Sequence, residues 1–165
     1  MLDLDQAKKD ISTWINTVLS EPAPELNGIS RCPFAAAALA NDRVMWITGS
    51  NVAVDIQQAI SAWQPSCEIA VMIYPPDIDA DDFSYAVESA NSEICRPSSF
   101  IALEDHPRAV ENIAGLIMNQ GQHALVLVTP AAKLHKASQM LRARGYYSNW
   151  TAAELDMVVN WRWSC

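Results

Sequence analysis

The chain has 165 residues, 50% of them hydrophobic and 18% charged, with a net charge of −8 and a pI near 4.7. That length makes one domain with enough apolar material for a substantial core. No apolar run approaches the roughly 18 residues of a membrane span, and the acidic balance repels nucleic acid and anionic membrane surfaces.

The start, Met1-Leu2-Asp3-Leu4-Asp5, is acidic and has no basic segment of the kind that opens a signal peptide. The expectation is a cytoplasmic protein. Leu4, Ala7, Ile11, Trp14, Ile15 and Val18 recur at three- and four-residue spacing, which predicts a first helix with one apolar face. Pro22 and Pro24 end it. A Pro/Asn/Gly loop follows and carries Cys32, and Ala35 to Ala40 can form a short helical turn.

Residues 43–48 predict the first strand, broken by Gly49-Ser50. Val52, Ile56, Ala59, Ile60 and Trp63 form the next helical stripe, closed by Pro65. Residues 68–74 are apolar and rich in β-branched side chains, as expected of a strand covered on both faces. Acids at Asp79 to Asp82 suit a helix start, and Phe83, Ala86, Val87, Ala90 and Ile94 supply its buried stripe.

Residues 99–104 predict a third strand. Pro107 suits the first turn of a fourth helix, with Val110, Ile113, Ala114 and Ile117 inward and Gly121 as its stop. Residues 123–129 predict a fourth strand, with Thr129 and Pro130 as cap and first position of a fifth helix. Thr151 and Glu154 form a capping box for the last helix, with Trp150 and Leu155 at staple positions.

Alternating helices and apolar strands argue for an α/β fold: a single domain over residues 1–165, with a mainly parallel or mixed sheet of at least four strands and packed helices. No internal repeat or linker interrupts it.

Five groups carry candidate chemistry. Cys32 sits in Arg31-Cys32-Pro33-Phe34-Ala35, where proline stiffens the backbone and Arg31 favours a thiolate. It reads as a nucleophilic or redox thiol, as a loop cysteine beside Phe34 as core anchor, or as a metal ligand. Glu104-Asp105-His106-Pro107 follows a strand, where ligands of open α/β sheets gather. His106 can act as an acid or base oriented by Asp105 or Glu104, it can bind a metal, or Asp105 or His106 can simply cap the helix begun by Pro107.

Asp77, Asp79, Asp81 and Glu88 have the spacing of a calcium loop, but Asp82 stands where such a loop needs glycine. Helix capping explains these acids better, and no metal site is expected. Lys133 and Lys136 lie one turn apart and can bind an anion at a helix start, or serve as a solvated face. No glycine-rich phosphate loop or nucleophile elbow accompanies them.

Trp161-Arg162-Trp163 alternates as a strand would, and is either a structural cover or a partner surface. Cys32, Cys67, Cys95 and Cys165 form no Cys-x-x-Cys pair and read as reduced thiols.

Trp14, Val18, Arg31-Cys32-Pro33-Phe34-Ala35, Arg43-Val44, Val71 to Pro75 and Asp82-Phe83 resemble an uncharacterised bacterial family, a domain of unknown function with a Leu-Cys-Pro-Phe-Ala segment. The resemblance spans about residues 11 to 107, with Arg31 in place of leucine. His106-Pro107 is a second shared element. The resemblance implies that Cys32 and His106 belong to one site, and it implies no activity or cofactor.

Three functions follow as expectations. The first is a binding or accessory protein that pairs with itself or with another protein. The second is a thiol-dependent enzyme or redox protein using Cys32, with His106 as base and Asp105 or Glu104 orienting it. The third is a binder of a small anion at Lys133 and Lys136.

Overall fold

The computed structural model describes residues 2–163. Helix α1 (Leu4–Trp14) starts at Asp3, whose carboxylate accepts from the N–H groups of Asp5 and Gln6. It runs on into a wider π-helical turn over Ile15–Leu19. The predicted loop then folds into a small hairpin of β1 (Pro22–Ala23) and β2 (Ile29–Ser30). Asn27 and Gly28, both at positive φ, allow the chain to reverse there. Helix α2 (Ala35–Ala40) follows Cys32.

The main sheet holds β3 (Val44–Thr48), β4 (Ile69–Tyr74), β8 (Ala124–Pro130) and β5 (Phe100–Asp105), in that spatial order. β3 and β4 are parallel. β8 runs antiparallel to both β4 and β5. Strands β3, β4 and β5 therefore share one direction, with β8 inserted against them. The sheet is mixed rather than mainly parallel.

Period-two alternation divides the side chains between two layers. Met45, Ile47, Ala70, Met72, Tyr74, Ala102, Val126 and Val128 meet α3 (Val52–Ser61) and α4 (Ala80–Ala90). Val44, Trp46, Val71, Ile73, Leu125 and Leu127 meet α1 and α2. A third cluster joins the β1–β2 hairpin to Ile113, Tyr146, Trp150 and Val159, beside α5 (Ala131–Ala143) and α6 (Ala152–Val158). The Thr151–Glu154 capping box is formed, and Trp150 and Leu155 pack in that cluster.

Three expectations are corrected. No helix follows Pro107. Instead β6 (Asn112–Ile113) and β7 (Leu116–Ile117) form a hairpin turned by Ala114 and Gly115, at φ of 52° and 88°. Two consecutive residues in the left-handed region make a tight hairpin turn, not a helix. Of the expected helical stripe only Ile113 is fully buried, while Val110 and Ile117 are exposed. At the second site, Thr129 and Pro130 belong to β8, and the Thr129 hydroxyl donates to the Glu68 carbonyl at 2.9 Å. Pro130 caps α5 and Ala131 is its first residue. Third, Trp161-Arg162-Trp163 is not extended. It lies in a 3-10 turn over Asn160–Trp163, closed by the Arg162 N–H on the Val159 carbonyl.

The two edges of the sheet differ. On β5, the Asn91 side chain takes the place of a neighbouring strand. The Ala102 N–H donates to Asn91 Oδ1 and Asn91 Nδ2 donates to the Ala102 carbonyl, both at 2.8 Å. Asn91 is buried at the point where α4 widens into a π-helical turn over Asn91–Cys95. β3 has no strand on its outer side among the described residues.

Replacing Asn91 by Ala leaves a buried donor and acceptor of Ala102 without mates, and each such group costs about 1–3 kcal/mol. Chemical denaturation of Asn91→Ala should show a loss of about 2–4 kcal/mol. A loss below about 1 kcal/mol would show that water or another group replaces the amide.

Candidate functional site

Cys32 is built into the α1 layer. Its N–H donates to the Leu19 carbonyl at 3.0 Å, and its side chain packs with Ala35, Leu39 and the residues of α1. The residue as a whole is partly buried, but its sulfur lies under its neighbours. Burial pushes the thiol up, and the Phe34 and Ala35 N–H groups offset this only in part. Arg31 does not reach for the thiolate. Its guanidinium donates to the Val18 carbonyl at 3.3 Å, and Tyr146 Oη donates to the Arg31 carbonyl at 2.6 Å.

His106 lies in the opposite layer. Its ring stands 5.7 Å from that of Phe83, a core residue of α4. Nδ1 accepts from the Arg108 N–H at 3.1 Å, so Nε2 carries the hydrogen and donates to the Ile78 carbonyl at 3.0 Å. Both nitrogens are thus occupied in fastening the end of β5 to the loop before α4. The sheet separates this ring from Cys32, and the two do not form one site.

Asp105, one residue earlier, faces the α1 layer with its alternation partners Ile101 and Leu103. Its Oδ2 accepts from the Gln120 N–H at 2.8 Å, and its buried Oδ1 has no partner among the described residues. Burial raises its pKa to about 7, and Glu111 adds to the rise. Asp105 therefore orients neither His106 nor Cys32.

The remaining sequence candidates also fall apart. Lys133 Nζ donates to the Cys67 carbonyl at 3.4 Å, while Lys136 is exposed one turn on. Asp79 caps α4, accepting from the Asp81 and Asp82 N–H groups at 3.0 Å. In the tail, Trp163 meets the His135 ring edge-on at 4.6 Å and Trp161 is half-buried. Arg162 turns inward beside Tyr147, Glu111 and Tyr146, where burial lowers its pKa. This tail holds α5 to the C-terminal cluster. Cys165 lies outside the described residues.

The carboxyl ends of β3 and β4 carry groups that no sequence pattern marks. Asp55 Oδ2 accepts from the Ser50 N–H, the Asn51 N–H and Tyr74 Oη, at 2.8, 2.9 and 3.0 Å. Gly49 lets the Tyr74 ring close over the turn, since a Cβ there would lie 2.3 Å from the ring. A cleft of about 340 Å³ opens beside this turn, and one of about 510 Å³ opens across Pro75 near His123. Both are shallow, and the catalytic candidates Cys32, His106 and Asp105 line neither.

The open edge of β3 is the remaining feature. The Gly49 N–H bonds the Ile73 carbonyl and the Ile69 N–H reaches the Arg43 carbonyl, so odd-numbered residues face β4. Val44, Trp46 and Thr48 therefore turn their backbone groups outward. The side chains of Val44, Met45, Trp46 and Ile47 are half-exposed and Thr48 is exposed. The strand contains no proline and no charge. Comparison with family models, curated proteins and solved structures finds no match to the chain.

Two measurements check this placement. Alkylation followed residue by residue at neutral pH should modify Cys32 no faster than Cys67, and both at least ~10-fold slower than in the unfolded chain. A Cys32 rate well above that of Cys67 would restore an activated thiol. Asp105 has a folded pKa above its unfolded one, so the folded state holds the proton more tightly. Its contribution to stability is full below about pH 4 and is lost as pH rises towards 7. Asp105→Asn should therefore be at least as stable as the parent at pH 8, with the difference reversing or vanishing by pH 4. A variant less stable than the parent at pH 8 would contradict the burial of that carboxylate.

Proposed function

We propose that this is a binding or accessory protein, and that it works by adding an extended segment of a protein partner to the open edge of β3. The observation that carries this reading is the contrast between the two edges. Unpaired strand edges are sites of strand addition, and proteins commonly blunt them with charge, proline, bulges or a covering group. Here one edge is covered at its centre, Ala102, by the Asn91 amide. The other is an uncharged strand of five residues with outward backbone groups at every second position.

An enzymatic reading has less support. The buried thiol of Cys32 is kept in its protonated form, His106 spends both nitrogens on the backbone, and the sheet stands between them. An anion site at Lys133 and Lys136 is also weaker, because Lys133 is engaged by the Cys67 carbonyl. A net charge of −8 favours protein over nucleic acid as the partner. The free thiols of Cys32, Cys67 and Cys95 accord with a reducing, cytoplasmic setting.

Selection from a random peptide library tests the reading. Peptides enriched on the protein should place apolar residues at alternate positions, as a strand lying on β3 requires. Thr48→Pro removes one outward N–H and leaves the bonds to β4 in place. It should abolish capture while circular dichroism stays unchanged. No enrichment on protein dilute enough to be monomeric, or enrichment that survives the substitution, would refute strand addition at β3.

A further inference from the structure

The charge distribution around β3 names its occupant. The chain carries 19 acids and 11 basic residues, yet between Cys32 and Cys67 the only charged residues are Asp42, Arg43 and Asp55. Asp55 is buried under Ser50, Asn51 and Tyr74. Arg43 is paired with Glu68 at 2.7 Å. The exposed positions of α2 are alanines, and those of α3 are Ala53, Val54, Gln57, Gln58 and Ser61. These two helices pack on opposite faces of β3. The edge is thus bracketed above and below by uncharged surface, in a protein whose like charges elsewhere repel another copy.

A neutral patch on an acidic chain is a region that such a chain can turn towards itself without repulsion. It offers no counter-charge to a basic partner. We propose that the occupant of the β3 edge is β3 of a second copy, paired antiparallel about a two-fold axis through Trp46. This rests on the open-edge reading.

The register follows from which groups face outward. Trp46 placed opposite Trp46 of the second copy brings Val44 opposite Thr48. Every outward N–H and C=O of the strand then finds a mate, whereas a shift by two residues leaves some unpaired. The two four-stranded sheets become one of eight, with β3 no longer an edge. The Trp46 side chains meet as a cross-strand pair on the α2 face. Aromatic pairs in that position add to the pairing energy, and tryptophan is typical of the centre of an interface. A symmetric interface of this kind closes on itself at two copies and does not propagate into a fibre.

Sedimentation of the full chain, combined with residue-resolved hydrogen exchange, tests the proposal. The 18.2 kDa chain should sediment as a dimer and dissociate on dilution. The Val44, Trp46 and Thr48 amides should be protected in the dimer and exchange freely when dilute. Thr48→Pro should sediment as a monomer at every concentration with its circular dichroism and melting curve retained. Thr48→Lys, which keeps the N–H but sets a charge against Val44 of the second copy, should weaken the dimer without unfolding it.

A parent chain that stays monomeric with freely exchanging amides overturns self-pairing and leaves the edge open to another strand. A monomer in which those three amides are already protected overturns both self-pairing and the open-edge reading. A dimer that persists in both variants, with the three amides still exchanging freely, places the contact elsewhere and overturns self-pairing.

Discussion

β8 bonds β4 along one side and β5 along the other, and its side chains feed both layers of the molecule. Ala124, Val126 and Val128 point to the layer under α3 and α4, and Leu125 and Leu127 to the layer under α1. Leu125, Val126 and Val128 are fully buried. A strand so enclosed must satisfy all of its backbone groups through its two neighbours. That demand fixes the registers of β4 and β5, and through β4 that of β3. A one-residue slip of β8 would exchange its two faces and strand each side chain in the wrong core. The edges are what this arrangement leaves over, and the Asn91 amide covers the centre of one of them.

Much of the architecture is legible in the chain. The apolar run 68–74, the stripe of α1 and the Thr151–Glu154 box each announce an element through one physical signal, and each forms. The direction of the last strand is not legible, and the cause lies in a single segment. Val110, Ile113, Ala114 and Ile117 happen to match helical spacing. A helix there would serve as the crossover between parallel strands. The left-handed pair Ala114–Gly115 makes a hairpin instead, and the chain returns antiparallel beside β5. Spacing alone cannot report a backbone dihedral that alanine adopts only under tertiary constraint.

The site residues show the same limit. Cys32 and His106 are conspicuous in sequence because their neighbours are polar or rigid, but which face of the sheet each meets depends on strand parity and order. Asp55 is not legible, because one acid in a helix carries no signal until its partners, Ser50, Asn51 and Tyr74, are brought to it. Asn91 is less visible still. An asparagine near the end of a helix ordinarily signals a stop, and here a widening of the helix sets its amide parallel to a strand. An edge closed by a side chain has no sequence pattern, and neither does an edge left open.

The C-terminal cluster ties together residues that are far apart along the chain. Tyr146 bonds the Arg31 carbonyl across 115 positions, Asn27 bonds Arg144 across 117, and Asn149 bonds Glu25 across 124. Such contacts carry a large loop-closure cost before they return any stability. During synthesis the β1–β2 hairpin emerges long before Tyr146 and Asn149 exist to hold it. The apolar side chains of Leu26 and Ile29 must then wait in water until Tyr146, Trp150 and Val159 leave the ribosome. Residues made late complete the packing of residues made early, and vectorial folding of this chain runs in a closed circuit.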